Sequence, residues 1–343
     1  MSAVVKLAER GCLSDRWIRA GVRQLLRERL RAAARENLSD WDWLRRIEAR
    51  PPDRTGEAVK TEQPEIPVEY FQTVLGPQLK FSSAYWPEGC PDLAAAETAM
   101  LRLTCERAGV GNGQNVLDAG CGWGALGLWI AANHPATTVV CLSNSRLQEA
   151  YIKNECERRN IRNLRVVGKD IHAYQPAQEF DRILAVELFE HTRNHRELFQ
   201  KTAAWLRKNG KLFIQSFSHR KYAYLFETKS SNDWLAHHFF PGGVMLSSTL
   251  LPAAAEGVFH EEASWEINGQ HYSRTAEAWL ARHDAARDQI TEIFSRCYAP
   301  SDSRVWWRRW RLFYMAFSEL FAYHEGKEWR ITHHLLAPDK NPP

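Results

Sequence analysis

The segment Asp118-Ala119-Gly120-Cys121-Gly122-Trp123-Gly124 limits what this chain can fold into more than any other. It follows a short apolar run, Asn115-Val116-Leu117-Asp118. It precedes a stretch from Ala125 to about Asn133 that reads as a helix and stops at His134-Pro135. Strand, glycine turn and helix in that order bring bare backbone and a helix N-terminus up to a ligand. Glycine permits both the sharp turn and the close approach. A tight turn with an acidic N-cap is the plainer alternative, and the ordered succession of the three parts favours the ligand site.

The same alternation continues downstream. Strands are expected at Thr138–Leu142, Leu164–Val167, Phe180–Val186 and Lys211–Phe217, with a turn at Lys208-Asn209-Gly210. Helices are expected at Ser145–Arg159 and His195–Leu206, and an earlier one runs from Asp92 to about Ala108. Val, Ile and Leu fill the strands with few polar breaks, which predicts a mostly parallel sheet covered on both faces. The fold class is therefore α/β, a Rossmann-like sheet flanked by helices.

Outside this core, residues 1 to about 50 read as two or three amphipathic helices. Arg23, Arg27, Arg29, Arg31 and Arg35 are expected to coat the wet side of one of them. Pro51, Pro52, Pro64 and Pro67 mark a linker, so the expected division is a helical extension over 1–67 and a catalytic domain over 68–343. From His219 to about Gly269 the pattern is irregular and reads as part of an inserted cap, placed at about 219–310. Thr275–Cys297 and Arg304–Glu325 each read as one helix. The second carries Trp306, Trp307, Trp310, Phe313, Phe317 and Phe321, and a strand is expected at Trp329–Leu336.

The glycine turn departs from the dinucleotide pattern GxGxxG, because an acid, Asp118, precedes its first glycine. Asp118 either organises the loop or meets a positively charged ligand group through water. A nucleotide site also wants an acid after the second strand for the ribose. Here that strand runs into Ser143-Asn144-Ser145, so Asn144 or Gln148 is left for the ribose hydroxyls. After the third strand, Asp170 suits an adenine amino group and Ile171 its ring. The fourth strand runs into Glu187-Leu188-Phe189-Glu190-His191, an edge where such sheets place chemistry. Glu187 and Glu190 are candidates to hold an ammonium and receive its proton, and His191 to act as base or orienter. A surface turn with a Glu–His pair is the alternative.

These motifs together resemble the cyclopropane fatty acid synthases and mycolic acid cyclopropane synthases. They are more similar still to the branch of plant coclaurine N-methyltransferase and related benzylisoquinoline N-methyltransferases. The runs Asp118–Gly124, Ser143–Gln148, Glu187–His191, Phe239–Gly243, Lys80–Trp86, His271–Ser273 and Glu319–Phe321 carry the resemblance, which spans nearly the whole chain. It implies a class I methyltransferase fold with S-adenosyl-L-methionine as cofactor. The implied donor contacts are Tyr70, Ser82, Ser83, Gly120, Gly122, Gln148, Asp170, Ile171 and Glu187. The implied amine-binding and deprotonating residues are Glu187, Glu190 and His191. The sequence departs from the cyclopropane synthases at two positions of their bicarbonate site, with Ser83 for a cysteine and Gln215 for a histidine. That points away from lipid cyclopropanation and towards methyl transfer to the nitrogen of a small amine. Gln215 also departs from the N-methyltransferase branch, so coclaurine itself is not implied as substrate.

Composition excludes several other classes. A net charge of +4 does not require a nucleic acid partner. The 7 cysteines are scattered without a CxxC pair, which argues against a disulfide framework and for a reducing, cytoplasmic setting. Nothing approaches the run of about 20 apolar residues that a membrane span needs, and Met1–Arg10 does not read as a signal peptide. His237-His238 and His333-His334 are adjacent pairs, not the i,i+4 spacing of a metal helix, so no metal is expected. Membrane insertion is not expected either, and a homodimer stays open. The rival expectations are a lipid alkene-modifying enzyme with an elongated apolar channel, and a non-catalytic scaffold on the same fold.

Overall fold

The computed structural model describes residues 3–48, 65–227, 233–299 and 302–339. The sheet is built on β1 (Asn115–Ala119), β2 (Thr138–Ser143), β3 (Leu164–Gly168), β4 (Phe180–Val186) and β5 (Leu206–His219), all parallel in the order β3-β2-β1-β4-β5. Alternation along each strand feeds two cores. Val116, Val139, Leu184 and Phe213 meet Leu101, Leu126 and Ile130 from α5 (Leu93–Ala108) and α6 (Ala125–Asn133). Leu117, Val140, Ile183 and Ile214 meet Phe199 of α8 (His195–Trp205) and Trp43, Leu44 and Ile47 of α3 (Asp40–Glu48). Between β2 and β3 runs α7 (Arg146–Arg158), capped by Ser145. Strand order reverses between β1 and β4, and at that switch point their carboxyl ends open a crevice.

The far side of the sheet differs from the sequence reading. Lys208-Asn209-Gly210 does not end the chain's pairing. β5 is one strand from Leu206, and the three residues form an irregularity between the pairs Phe180↔Leu206 and Arg182↔Lys211, with Asn209 at φ 65°. Residues 219–269 are not an irregular lid. They contain β6 (Tyr224–Leu225), α9 (Trp234–His238), β7 (Val244–Ser247), α10 (Leu250–Ala255) and β8 (Phe259–Ile267). β7 pairs with the end of β5 (Ser218↔Leu246), and β8 pairs with β9 (Trp329–Pro338), which runs antiparallel to β5.

Over the carboxyl edge sits an aromatic helical layer: α4 (Val68–Val74), α11 (Gln270–Ala285), α12 (Arg287–Cys297) and α13 (Ser303–Ala322). The single helix expected over Thr275–Cys297 is two, broken at Ala286 (φ −105°, ψ 28°). Along α13, Trp306, Trp310, Phe313, Phe317 and Phe321 recur at helical spacing and are buried, while Trp307 is half-buried. Of the N-terminal helices α1 (Ala3–Glu9) and α2 (Asp15–Glu36), the second lies on this layer through ion pairs. Arg19 meets Glu277 at 2.6 Å, Arg23 meets Glu319 at 2.7 Å, and Arg311 reaches back to Asp15 at 2.7 Å. Arg27, Arg31 and Arg35 are exposed as expected. Arg23 and Arg29 are not simply wet, because Arg29 approaches Asp233 at 3.5 Å and lies over the Tyr224 ring. The proline-rich stretch expected as a linker lies mostly outside the described residues.

Candidate active site

A cavity of about 1580 Å³ opens at the switch point between the sheet and the aromatic layer. That exceeds the roughly 300–1,000 Å³ of a pocket for one small ligand, so a donor and an acceptor fit together. On the sheet side lie the glycine turn and the ends of β2 and β3. Gly120, Gly122 and Gly124 hold φ of 72°, 53° and 81°, a region L side chains resist. A side chain on Gly120 would press on Leu188, whereas no protein atom stands within 4 Å of where one on Gly122 would begin. The turn is tied to β2 by Cys121 N–H donating to Leu142 O at 3.0 Å.

Asp118 lies beneath the turn, 2% exposed, and its Oδ2 accepts the Gly127 N–H at 2.9 Å. It therefore locks the first turn of α6 to β1, which is the loop-organising role of the two that were open. Burial pushes its pKa up to about 7, against the Gly127 hydrogen bond and the nearby Lys80 charge. Ser143 Oγ donates to Gln148 Oε1 at 2.6 Å. The Gln148 amide NH2 is then the half suited to a ligand hydroxyl. Asn144, Asp170 and Ile171 also line the cavity, and Asp170 accepts the His172 N–H at 2.8 Å.

On the other side stands Glu187, in the left-handed region at φ 50° immediately after β4. A non-glycine residue there carries strain that the surrounding contacts must hold. Its own N–H donates to Gln215 O at 2.7 Å. Its Oε1 accepts from Ser83 N–H at 2.9 Å and Gln215 Nε2 at 3.4 Å, and its Oε2 from Tyr272 OH at 2.8 Å. Burial raises its pKa, and the Lys80 charge and these three donors oppose the rise. His191 opens onto the cavity and stacks on Phe240, ring centroids 5.5 Å apart. Its surroundings lower its pKa through desolvation, so the neutral imidazole prevails at pH 7.

Three predicted site residues do not reach the cavity wall. Tyr70 is fully buried among the aromatic helices, its hydroxyl bonded to Tyr314 OH at 2.7 Å. It does not line the cavity. Ser83 is fully buried too, and what it offers the site is its backbone N–H to Glu187. Glu190 points inward: Oε1 accepts the Phe217 N–H at 2.6 Å, and Oε2 has no protein partner. Burial, with the Glu187 charge adding to it, raises its pKa well above the carboxylate range. Ser82, Asp118, Gly120, Gly122, Asn144, Gln148, Asp170, Ile171, Glu187 and His191 do line the cavity.

The sequence reading missed Lys80 as a site residue, although its run was singled out. It also missed the contact between Tyr272 and Glu187. Lys80 is 3% exposed and lines the cavity. The available signal was a lone charge between Leu79 and Phe81 in an aromatic, apolar stretch. Glu97, in an alanine-rich helix, was passed over as well. It is fully buried and accepts the Gly76 and Gln78 N–H groups, each at 2.9 Å, which pins the strap of residues 76–84 that carries Lys80.

Comparison with known proteins places this geometry. The family model for mycolic acid cyclopropane synthetase matches residues 57–324. The chain belongs to that family. Within it, the chain is 32% identical to an (S)-coclaurine N-methyltransferase from Papaver somniferum, over 96% of this chain and 95% of that one. It is 35% identical to the same-named enzyme from Thalictrum flavum subsp. glaucum, over 82% and 78% of the two chains. Among solved structures, a coclaurine N-methyltransferase bound to N-methylheliamine and SAH superposes with a TM-score of 0.86, at 32% identity and with 98% of each chain covered.

The chain is thus an S-adenosyl-L-methionine-dependent methyltransferase of the coclaurine N-methyltransferase-like branch, with the Rossmann-like class I fold. The cavity fits that cofactor. Gly122 leaves open space at the turn, the end of β2 offers amides in place of an acid, and Asp170 and Ile171 line the cavity beyond the end of β3. Among the described residues, no group of three or more His, Cys, Asp or Glu side chains is placed to hold a metal. No helix among them is long and apolar enough to cross a membrane.

Proposed function

We propose that this enzyme transfers a methyl group to the nitrogen of a small amine bearing an aromatic ring, with Glu187 as the proton acceptor. The observation that carries this reading is the Glu187 carboxylate at the wall of a cavity that also has an aromatic side. Phe217, Phe239, Phe240, Trp310, Phe313 and Phe317 line that side, with Phe239 stacked on Phe313 at 4.6 Å and Phe240 on Phe317 at 5.7 Å. Aromatic faces hold flat apolar bodies and attract ammonium groups. The carboxylate draws in the amine nitrogen and takes its proton, which frees the lone pair. The relatives named for coclaurine methylation support an amine acceptor of this kind.

S-adenosyl-L-methionine supplies an electrophilic methyl carried on a sulfonium. The chain's part is to align a neutral nitrogen with it and to remove a proton. Ser82, Asp118, Gly120, Gly122, Asn144, Gln148, Asp170 and Ile171 are assigned to the donor, Glu187 and His191 to the acceptor. His191, neutral and stacked on Phe240, orients the amine or its ring substituent. Glu190 positions Glu187 from behind by anchoring β5 at Phe217. We keep the division into a helical extension over 1–67 and a methyltransferase domain over 68–343. The acceptor cap becomes the aromatic helices α11 to α13 with α9, because β7 and β8 belong to the sheet.

The test is mass spectrometry of products formed with a donor carrying a labelled methyl, using a panel of aromatic secondary amines, aliphatic amines and unsaturated phospholipids. Labelled methyl on the nitrogen of aromatic amines is expected. Label found in the phospholipid alone would overturn the reading.

A further inference from the structure

Lys80 is a buried cation to which the chemistry above gives no task. Its Nζ donates to Ser82 Oγ at 2.5 Å and to Ser83 O at 2.7 Å. The N–H of the same Ser83 donates to Glu187 Oε1 at 2.9 Å. One residue of the strap is therefore gripped at its carbonyl by an ammonium and at its N–H by the proposed base. Taking an ammonium out of water costs several kcal/mol, so an apolar side chain would fill this position more favourably if filling were all it did. The carboxylates of Glu187, Glu97 and Asp118 all act on Lys80. Asp118 belongs to the donor turn and Glu187 to the acceptor side, so the ammonium is shared between the two halves of the site.

We propose that Lys80 is a positioning residue for methyl transfer: through Ser83 it fixes the place of Glu187, and through its charge it keeps that carboxylate ionised and ready to take the proton of the amine. This rests on Glu187 being the proton acceptor. The other groups acting on Glu187 are the Tyr272 hydroxyl and the Gln215 amide, which donate to it, while burial and the Glu187 charge push the Glu190 carboxyl behind it well above the usual carboxylate range. Desolvation lowers Lys80 to about pKa 8, and the three carboxylates oppose that fall. His333, across the ladder from Gln215, is held neutral chiefly by burial, with the Lys80 charge contributing.

The experiment is the pH dependence of kcat/KM for an aromatic amine in the wild type, K80M, K80R and E187Q. Loss of the cation disfavours the Glu187 carboxylate, so the acid limb of K80M is expected to move up by about one pH unit or more. K80R, which keeps the charge, restores the limb to its wild-type position. A residue that served only packing would lower the rate without moving the limb, and an unmoved limb in folded K80M overturns the proposal. If E187Q turns over like the wild type, the base assignment has failed. If E187Q is impaired and the K80M limb stays put, Lys80 alone has been misread.

Should K80M not fold, the same coupling is read from the partner. Lys80 has its folded pKa below its unfolded one, so its deprotonation makes stability rise with pH above about 8. E187Q removes a carboxylate that sustains the ammonium. Its rise in melting temperature is therefore expected to begin at lower pH than in the wild type, and an identical onset overturns the proposal.

Discussion

Asp118 shows how one side chain can be both a fastening and a titratable load. Its Oδ2 holds the Gly127 N–H at 2.9 Å, and burial pushes its pKa up to about 7. A carboxyl raised in the folded state binds more protons there than when unfolded. Its stabilising contribution is whole below the unfolded pKa and is lost as pH rises through the folded one. The affected window therefore runs from about pH 4 to about pH 7. Asp118→Asn keeps an oxygen for Gly127 but does not titrate. Its melting temperature relative to the wild type is expected to improve between about pH 4 and pH 8. A difference that stays constant across that range would contradict the assignment. The left-handed Glu187 (φ 50°) is a second instance, in which a strained backbone is held by its ladder bond to Gln215 O and by three donors to its carboxylate.

At the scale of elements, the acceptor end is closed by α1 as well as by the cap. Glu9, 8% exposed, accepts from Trp234 Nε1 at 3.0 Å and Arg309 Nε at 2.9 Å, and His238 stands 3.6 Å away. It thereby fastens α1 to α9 and α13; His238 of α9, Phe239 just beyond it, and Trp310 and Phe313 of α13 line the cavity. Glu9→Ala is expected to raise the acceptor KM roughly tenfold, the scale of one charged hydrogen bond of about 1.5 kcal/mol. Donor affinity by calorimetry should not change. An unaltered acceptor KM, or equal weakening for both ligands, would count against this role. The first four strands and their helices were legible because Val, Ile and Leu runs and caps such as Asp92 and Ser145 act locally. The course of β5 was not, since Lys208-Asn209-Gly210 is ordinary turn chemistry and only pairing with β4 and β9 carries the strand through. β6 and β7, two and four residues long, are too short for a period to show. Ala286 breaks the α11–α12 run with no proline or glycine to announce it.

For the whole molecule, the switch point of the sheet was readable in advance, and with it the cavity wall proposed to hold the donor. Asp118, Gly120, Gly122, Gln148, Asp170 and Ile171 sit at strand ends, where chain order alone places them. The acceptor half is assembled from segments far apart in the chain, Lys80, Glu187, Phe240, Tyr272 and Phe313, and no local pattern joins them. Resemblance carried Tyr70 and Ser83 into the donor set by position, but neighbours decide contact: Tyr314 engages one and Glu187 the other. The central claim is that Glu187 receives the proton of an amine held against the aromatic wall. The most direct test is the turnover of Glu187→Gln on an aromatic secondary amine with labelled donor, alongside calorimetry of donor binding. The expected result is a loss in kcat of about 100-fold or more, the usual contribution of a general base, with donor affinity intact. Wild-type turnover by that variant would contradict the claim.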